Sequence, residues 1–461
     1  MKRPNVLLIY TDQQRGDCLG SNGNSYISTP NLDKLANQGI SFSQAFVNCP
    51  VCMPSRMSML SGRYPSALGI RCNGIAMPPE IPCVQHILKA HGYHTANIGK
   101  LHFTNHSDRD HKSPHPLYGF DELILSDEPG CYDDAYIDWV RKNAPDQVEN
   151  CRVDTPPACT VTPIRKHPRD THQPYRFEGP ENLTHTAFVA DETIRYLQEH
   201  RTGDQPFFCI AGIFAPHCPI NPPSRFIDRY KPEDMPLPER LEGENFQDVS
   251  DLQWQKVKAY YYALISHVDD QVGRILHELE KTGLDENTLV IFTSDHGENL
   301  GDHGRIGKGN PQDSSSHVPL IFSFPKRFKC PRKKSQSIVE AVDIVPTILD
   351  TCGVEIPTYF QGTSLFPFLS GSVGQTGRDS ALIEFKEPFT RSYKAVRTKD
   401  YLYVANGNGS EELYDLAVDP HQLKNIAELP GSAEALGGMR RILIARILDS
   451  ESHHPTKTAE Y

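Results

Sequence analysis

Short apolar runs of strand length alternate along this chain with amphipathic stretches of helical period, and that alternation restricts the fold more than any other feature. The runs are residues 5–10, 94–98, 207–212, 289–293 and 319–324. A strand that is apolar on both faces needs cover on both faces, so the pattern predicts an α/β fold: a large, mostly parallel central sheet flanked by helices. Helix punctuation agrees. Thr29-Pro30 opens a helix that Gly39 stops, residues 83–91 end before Gly92, and the longest helical pattern, 252–281, closes at Gly283. Residues 108–180, rich in Pro, His, Asp and Arg and weakly periodic, read as long loops over one face. After about Gly371 the pattern changes to short strands at 381–385, 394–398 and 401–405 and a last helix at 433–448. This predicts a main domain over 1–372 and a smaller C-terminal α+β subdomain over 373–461 containing a short antiparallel sheet.

Composition narrows the partners. A net charge of -11 argues against nucleic acid, whose backbone is bound by clustered Lys and Arg. No apolar run approaches the roughly eighteen residues of a membrane span, so membrane insertion is not expected. The apolar run 6–10 is too short for a signal-peptide core and is followed at once by Asp12. The expected compartment is therefore the cytoplasm, or the periplasm or exterior if a leader has been removed. Twelve cysteines without the spacing of a disulfide framework read as reduced thiols.

Several motifs carry chemistry. Cys52-Met53-Pro54-Ser55-Arg56 continues as Met57-Ser58-Met59-Leu60-Ser61-Gly62-Arg63. Pro54 fits the first turn of a helix running to Ser61, and a helix N-terminus with Arg56 beside it attracts an oxyanion. Asp12-Gln13 ends the first strand run, and Asp295-His296 follows 289–293; open α/β sheets gather their sites at such strand ends. Two carboxylates, an amide oxygen and an imidazole suit a hard divalent cation. Gly99-Lys100-Leu101-His102 follows 94–98, and a spacing of two puts Lys100 and His102 on one side of an extended segment. Ala215-Pro216-His217-Cys218-Pro219 offers an imidazole suited to proton transfer near neutrality. Gly307-Lys308-Gly309 adds a cation. With a divalent ion offsetting Asp12 and Asp295, the charges of Arg56, Lys100 and Lys308 leave a positive pocket in an acidic protein. Singly, each motif has a plainer reading: a loop or cap acid, a solvated Lys-x-His pair, a turn histidine, or, for Cys49-Pro50-Val51-Cys52, a redox dithiol. Glu298, Asp302 and His303, in the loop of His296, read as structural.

Together these segments resemble the formylglycine-dependent type I sulfatases of the alkaline phosphatase superfamily. Cys-x-Pro-Ser-Arg followed by Leu-x-Gly-Arg matches at every defined position, the other motifs stand in order from Asp12 to Lys308, and Glu412 to Pro420 is similar to many sulfatase C-terminal subdomains. The resemblance implies an alkaline phosphatase-like architecture and hydrolysis of a sulfate ester to alcohol and inorganic sulfate. It implies that a formylglycine-generating or anaerobic maturation enzyme converts Cys52 to formylglycine. One hydroxyl of the hydrated aldehyde then attacks sulfur and the other drives release of sulfate. It further implies Ca²⁺, with Mg²⁺ or Mn²⁺ as alternatives, held by Asp12, Gln13, Cys52, Asp295 and His296. Arg56 would steady the nucleophile, Lys100 and Lys308 contact sulfate, His102 orient the diol and His217 protonate the leaving alcohol. Gln13 and His296 depart from the familiar pattern, which has an acid and an asparagine there, and so lower the negative charge at the metal.

Carbohydrate sulfates are the expected substrates, with choline sulfate and small aryl sulfates as alternatives. Arg71, Asn73, His106 and the loop around 165–172 are candidate specificity residues. One rival reading is a phosphonate monoester or phosphodiester hydrolase with the same machinery, which the Pro-Ser-Arg form disfavours. Another is a binding protein whose Cys52 is never matured.

Overall fold

The fold is that of a computed structural model, which describes residues 3–104, 116–153, 172–200, 202–325, 328, 330, 333–374 and 378–451. Eight strands set the frame: β1 (Asn5–Asp12), β2 (Ile40–Phe46), β3 (His94–Gly99), β4 (Glu122–Leu125), β5 (Phe207–Pro216), β6 (Thr288–Ser294), β7 (Leu320–Ser323) and β8 (Lys333–Glu340). They lie in the order β4-β3-β5-β1-β6-β7-β2-β8. All neighbours run parallel except β7, which is antiparallel to both β6 and β2. Every residue of β1, β5 and β6 is buried, as strands covered on both faces must be.

The alternation within β1 shows how the cover is divided. Leu7 and Ile9 face a core built with the helices His185–His200 and Asp251–Thr282, while Val6 and Leu8 face another built with Cys52–Ser61, Val84–Ala90 and Ile344–Thr351. The long helix begins where the Ser250 side chain accepts from Gln253 N at 3.3 Å and stops at Gly283, whose φ of 72° a residue without Cβ adopts freely. No helix among the described residues is long and apolar enough to cross a membrane.

The stretch expected as loops, 108–180, is more ordered than its composition suggests over its described residues, 116–153 and 172–180. It contributes β4 and a helix, Ala135–Asn143, whose buried stripe is only Tyr136, Ile137 and Val140 and whose first turn is fixed by Asp134 accepting from Ile137 N at 3.1 Å. Residues 105–115 and 154–171 lie outside the described set.

A second sheet is antiparallel throughout, in the order β12-β11-β10-β9, from β9 (Ser380–Glu387), β10 (Arg391–Thr398), β11 (Tyr401–Asn406) and β12 (Glu411–Asp415). One face carries the helix Ala433–Asp449 through Leu436, Met439 and Leu443. The other packs Ile383, Phe385 and Tyr393 on Cys49 and Val51. The chain entering Cys52 is thus walled by this sheet.

One buried carboxylate fastens the two sheets together. Glu340, at the end of β8, accepts from Asn48 Nδ2 (3.0 Å), Tyr64 Oη (2.7 Å), Leu382 N (2.6 Å) and Arg446 Nη2 (2.8 Å), and pairs with Arg378. Burial alone would push its carboxyl up, but Arg378 and Arg446 outweigh that and hold it below the usual carboxylate range. Removing one partner of such a cluster leaves charge buried without an equal answer. We therefore expect Arg446→Met to cost about 3 kcal/mol of stability in chemical denaturation; a loss below about 1 kcal/mol, the size of an exposed pair, would remove this cluster from that role.

Candidate active site

β1 and β6 are adjacent and parallel, so their carboxyl ends bring Asp12 and Asp295 side by side. The Cys52–Ser61 helix points its first residue at them, and Gly62, with φ 64°, ends it. Asp12, Cys52, Asp295 and His296 are all buried, and one ligand atom from each lies within 4.8 Å of the others. Arg56 Nε donates to Asp295 Oδ2 at 2.7 Å, and its Nη2 stands 3.4 Å from Asp12 Oδ2. Lys100 Nζ is 2.8 Å from the same Asp12 Oδ2. The outer oxygen of each carboxylate is therefore held by cations, while both Oδ1 atoms face His296 Nε2 at 3.5 Å.

The imidazole suits that position. His296 Nδ1 lies 2.9 Å from Gly297 O, which can only accept, so Nδ1 carries the proton and the Nε2 lone pair points inward. Burial, against the pull of Asp295, holds its pKa down to about 4, so the ring is neutral. Two carboxylate oxygens and a neutral imidazole nitrogen converging on one point, with their outer atoms already hydrogen-bonded, fit a divalent cation. Gln13 enters the same space with φ 67°. Its Nε2 donates to Glu298 Oε2, which leaves Oε1 toward Lys308 Nζ at 2.7 Å.

Lys308 Nζ also reaches Cys52 Sγ at 2.8 Å. Burial pushes the Cys52 thiol up to about 12, with Asp12 adding to it against Lys308 and Lys100. Burial likewise raises Cys49, whose Sγ instead contacts Arg71 O at 3.6 Å. Raised thiols are the reverse of a redox dithiol. Asp12 behaves oppositely: burial would raise it, but Lys100, His217, Lys308 and Arg56 together hold it well below the usual carboxylate range. For His217, burial and then Lys308 lower the pKa well below the ordinary histidine value. Its Nδ1 is 2.7 Å from Cys218 O, so the proton of the neutral ring sits there.

The Lys100-x-His102 segment differs from the extended geometry expected of it. His102 has φ 60°, and the backbone N–H groups of Leu101 and His102 both donate to Asp127 Oδ1 at 2.9 Å. Asp127 folds the segment back, so Lys100 turns to Asp12 and, at 3.4 Å, to Glu128.

The Sulfatase family model matches residues 4–354, a span holding every residue of this cluster. The chain belongs to the sulfatase family. A second family model, N-sulphoglucosamine sulphohydrolase, C-terminal, matches 301–447. An arylsulfatase of Clostridium perfringens is 32% identical over 96% of this chain and 94% of its own length. An N-acetylglucosamine-6-O-sulfatase of Bacteroides thetaiotaomicron is 28% identical over 92% and 83%. Among solved structures, the phosphonate monoester hydrolase of Agrobacterium radiobacter superposes with a TM-score of 0.86 at 26% identity, covering 99% of this chain and 98% of that one. The protein is accordingly a sulfuric ester hydrolase with the alkaline phosphatase-like fold.

Some residues that shape this sulfatase's site carry no motif. Glu128 brings a negative charge to Lys100 that the sequence-based charge count omits. Phe214 lies under Lys100, its ring centroid 4.6 Å from Nζ. Asn73, a candidate for specificity, accepts from Met53 N at 3.0 Å and so caps the helix of Cys52. Arg71 offers its carbonyl to Lys386 N at 3.1 Å. His106 and 165–171 lie outside the described residues, and the His172 carbonyl accepts from Gln253 Nε2 at 2.6 Å. Asp302 is engaged by Arg15 at 2.7 Å, and His303 N donates to Glu239 O at 2.8 Å.

Glu298 is the least expected. Fully buried, it accepts from Leu300 N and Gly307 N as well as Gln13, and so joins the His296 loop to the Lys308 loop. Burial raises its pKa to about 7. A carboxyl raised on folding adds stability at low pH that is lost as the pH passes its folded value. In chelator-treated protein, stability should fall between about pH 5 and about pH 8 more steeply for wild type than for Glu298→Gln; parallel profiles would show that Glu298 is not the titrating group.

Proposed function

We propose that this sulfatase hydrolyses carbohydrate sulfates, with Cys52 converted to formylglycine by a maturation enzyme and a divalent cation held by Asp12, Gln13, Asp295 and His296. The observation that carries the reading is the convergence of Cys52 Sγ, both Oδ1 atoms and His296 Nε2 within 4.8 Å, with Lys308 Nζ at 2.8 Å from the sulfur. Formylglycine supplies two geminal hydroxyls, one to attack sulfur and one to expel sulfate. A divalent cation held by Asp12, Gln13, Asp295 and His296, Ca²⁺ by family resemblance, would supply positive charge for the sulfate oxygens.

The remaining work falls to the chain's own side chains. Lys308 Nζ places a charge beside position 52 on the open side of the site, where a sulfate oxygen and the ester oxygen would lie. Lys100 and Arg56 keep Asp12 ionised, and Arg56 Nε holds Asp295 in place, so the site needs no reorganisation as charge develops. His217 leaves Nε2 for the ester oxygen because Nδ1 is engaged with Cys218 O. Burial first, and then Lys308, disfavour protonation of its ring in the free protein. A bound sulfate monoanion would offset the Lys308 part of that penalty, and a proton taken from solvent at Nε2 would be the one given to the departing alcohol.

The sugar reading draws on the N-acetylglucosamine-6-O-sulfatase relative. A second reading, a phosphonate monoester hydrolase, is favoured by the structural likeness to the Agrobacterium radiobacter enzyme. Both esters present one negative charge to the same cations. We expect a panel of sulfated monosaccharides, an aryl sulfate and an aryl phosphonate, assayed on protein whose position-52 peptide has the aldehyde mass, to give the highest kcat/KM on a sulfated sugar. A much higher value on the phosphonate would overturn this in favour of the second reading. Replacing His217 by Ala should slow esters of poor alkoxide leaving groups by about 10² to 10⁴-fold and those of activated phenols far less; equal losses would remove it from proton transfer.

A further inference from the structure

Lys308 sits in a loop that its own backbone holds poorly. It is flanked by Gly307 and Gly309, both at positive φ (72° and 95°), and two glycines leave a chain with much freedom to lose. Its ammonium nevertheless meets Gln13 Oε1 and Cys52 Sγ at 2.7 and 2.8 Å. The loop must therefore be fixed from outside, and the bonds that fix it come from two directions.

From the main sheet's side, Gly307 N donates to Glu298, and Gly307 O accepts from Asn299 N at 2.9 Å and Asn299 Nδ2 at 3.0 Å. Gly309 N donates to Ser315 Oγ at 3.1 Å. From the second sheet, Gly309 O accepts two donors at once, Arg391 Nη2 and Tyr393 Oη, the latter at 3.1 Å. Both belong to β10. Tyr393 is buried, and Phe385 stacks on it with centroids 5.7 Å apart and planes at 21°. The Arg391 guanidinium carbon lies 5.0 Å from the Phe385 centroid and 5.5 Å from that of Tyr393, so two rings pre-set its fork. A Cβ built on Gly309 would stand 3.2 Å from Arg391 Nη2 and 3.6 Å from Val51 Cγ1. The same few atoms thus abut the Lys308 loop and the residue before Cys52.

We propose that Arg391 and Tyr393 are positioning residues for hydrolysis: through the Gly309 carbonyl they hold Lys308 at the reacting side chain, which makes the C-terminal sheet part of the active site. The inference rests on the role given to Lys308 above. Neither residue has to touch the substrate. Losing either donor widens the range of positions of the Lys308 ammonium, so fewer bound substrates meet it in register.

The test is a double-mutant cycle on an aryl sulfate, each rate normalised to the fraction of position 52 found as aldehyde by peptide mass. Tyr393→Phe, which keeps the ring and its packing, and Arg391→Met should each lower kcat/KM by about 5- to 10-fold, the scale of one lost hydrogen bond. Arg391→Lys, which retains a donor, should recover part of that loss. In a Lys308→Ala background neither substitution should matter further, since the group being positioned is gone. Equal fold-losses in both backgrounds would assign Arg391 and Tyr393 a general structural role, and undiminished activity of both variants in the native background would deny them any role; either result overturns the proposal. A fully active Lys308→Ala single variant would instead overturn the role assigned to Lys308, and this inference with it. An impaired Lys308→Ala with an additive cycle would overturn this inference alone.

Discussion

Two carboxylates with no access to water are the constraint around which the molecule is arranged. Asp12 and Asp295 end neighbouring parallel strands and are 0% exposed, and a buried carboxylate without a partner costs several kcal/mol. Arg56 meets both acids through one planar group, Nε to Asp295 and Nη2 to Asp12, and its Nη1 donates to Lys100 O at 3.1 Å. A lysine could not bridge them in this way, because it offers a point charge rather than a fork. Arg56 therefore ties β1, β6, the Cys52 helix and the loop after β3 into one unit. Lys100 completes the pairing, and the inner oxygens are left as a preformed donor set.

The motif-bearing half of this arrangement was legible in the sequence because its residues sit at fixed short distances from strand ends. Apolar runs placed β1, β3, β5 and β6, and the residues just beyond each run are those that meet at the cluster, with Lys100, His217 and Lys308 around it. What could not be read is held by long-range pairing. Glu128 answers Lys100, Glu340 answers Arg378 and Arg446, and Gly309 O answers Arg391 and Tyr393. Each is an ordinary residue in an ordinary local pattern, selected by a partner 28 to 106 positions away. His102 shows the limit at close range: two backbone bonds to Asp127 turn a segment that spacing alone would leave extended.

The antiparallel β7 had a signal that the apolar run did not carry. A run of four to six apolar residues has no direction. A parallel return from β6 would, however, need a crossover of a dozen or more residues, usually helical. Between Ser294 and Leu320 the chain forms only the short turns Asp302–Gly304 and Asp313–Ser316. That segment is spent on His296, Glu298 and Lys308, and with no crossover helix the next strand returns antiparallel.

Gln13 and His296 carry the same logic into the chemistry. In the sulfatase pattern an acid stands where Gln13 does, so replacing it removes a full charge from the cluster of Asp12, Asp295 and His296. Glu298 stands directly behind Gln13, holding its amide and orienting its oxygen. The negative charge is thus displaced outward by one side chain, to a carboxyl whose pKa burial has moved to about 7. His296, neutral by burial, adds a lone pair and no charge. Arg56, Lys100 and Lys308 therefore face only two carboxylates, Asp12 and Asp295, in this cluster, and the opposing charge of Glu298 weakens as the pH falls through neutrality. Glu298 acts on this cluster only through Gln13 and two backbone N–H groups, contacts that its local sequence does not announce.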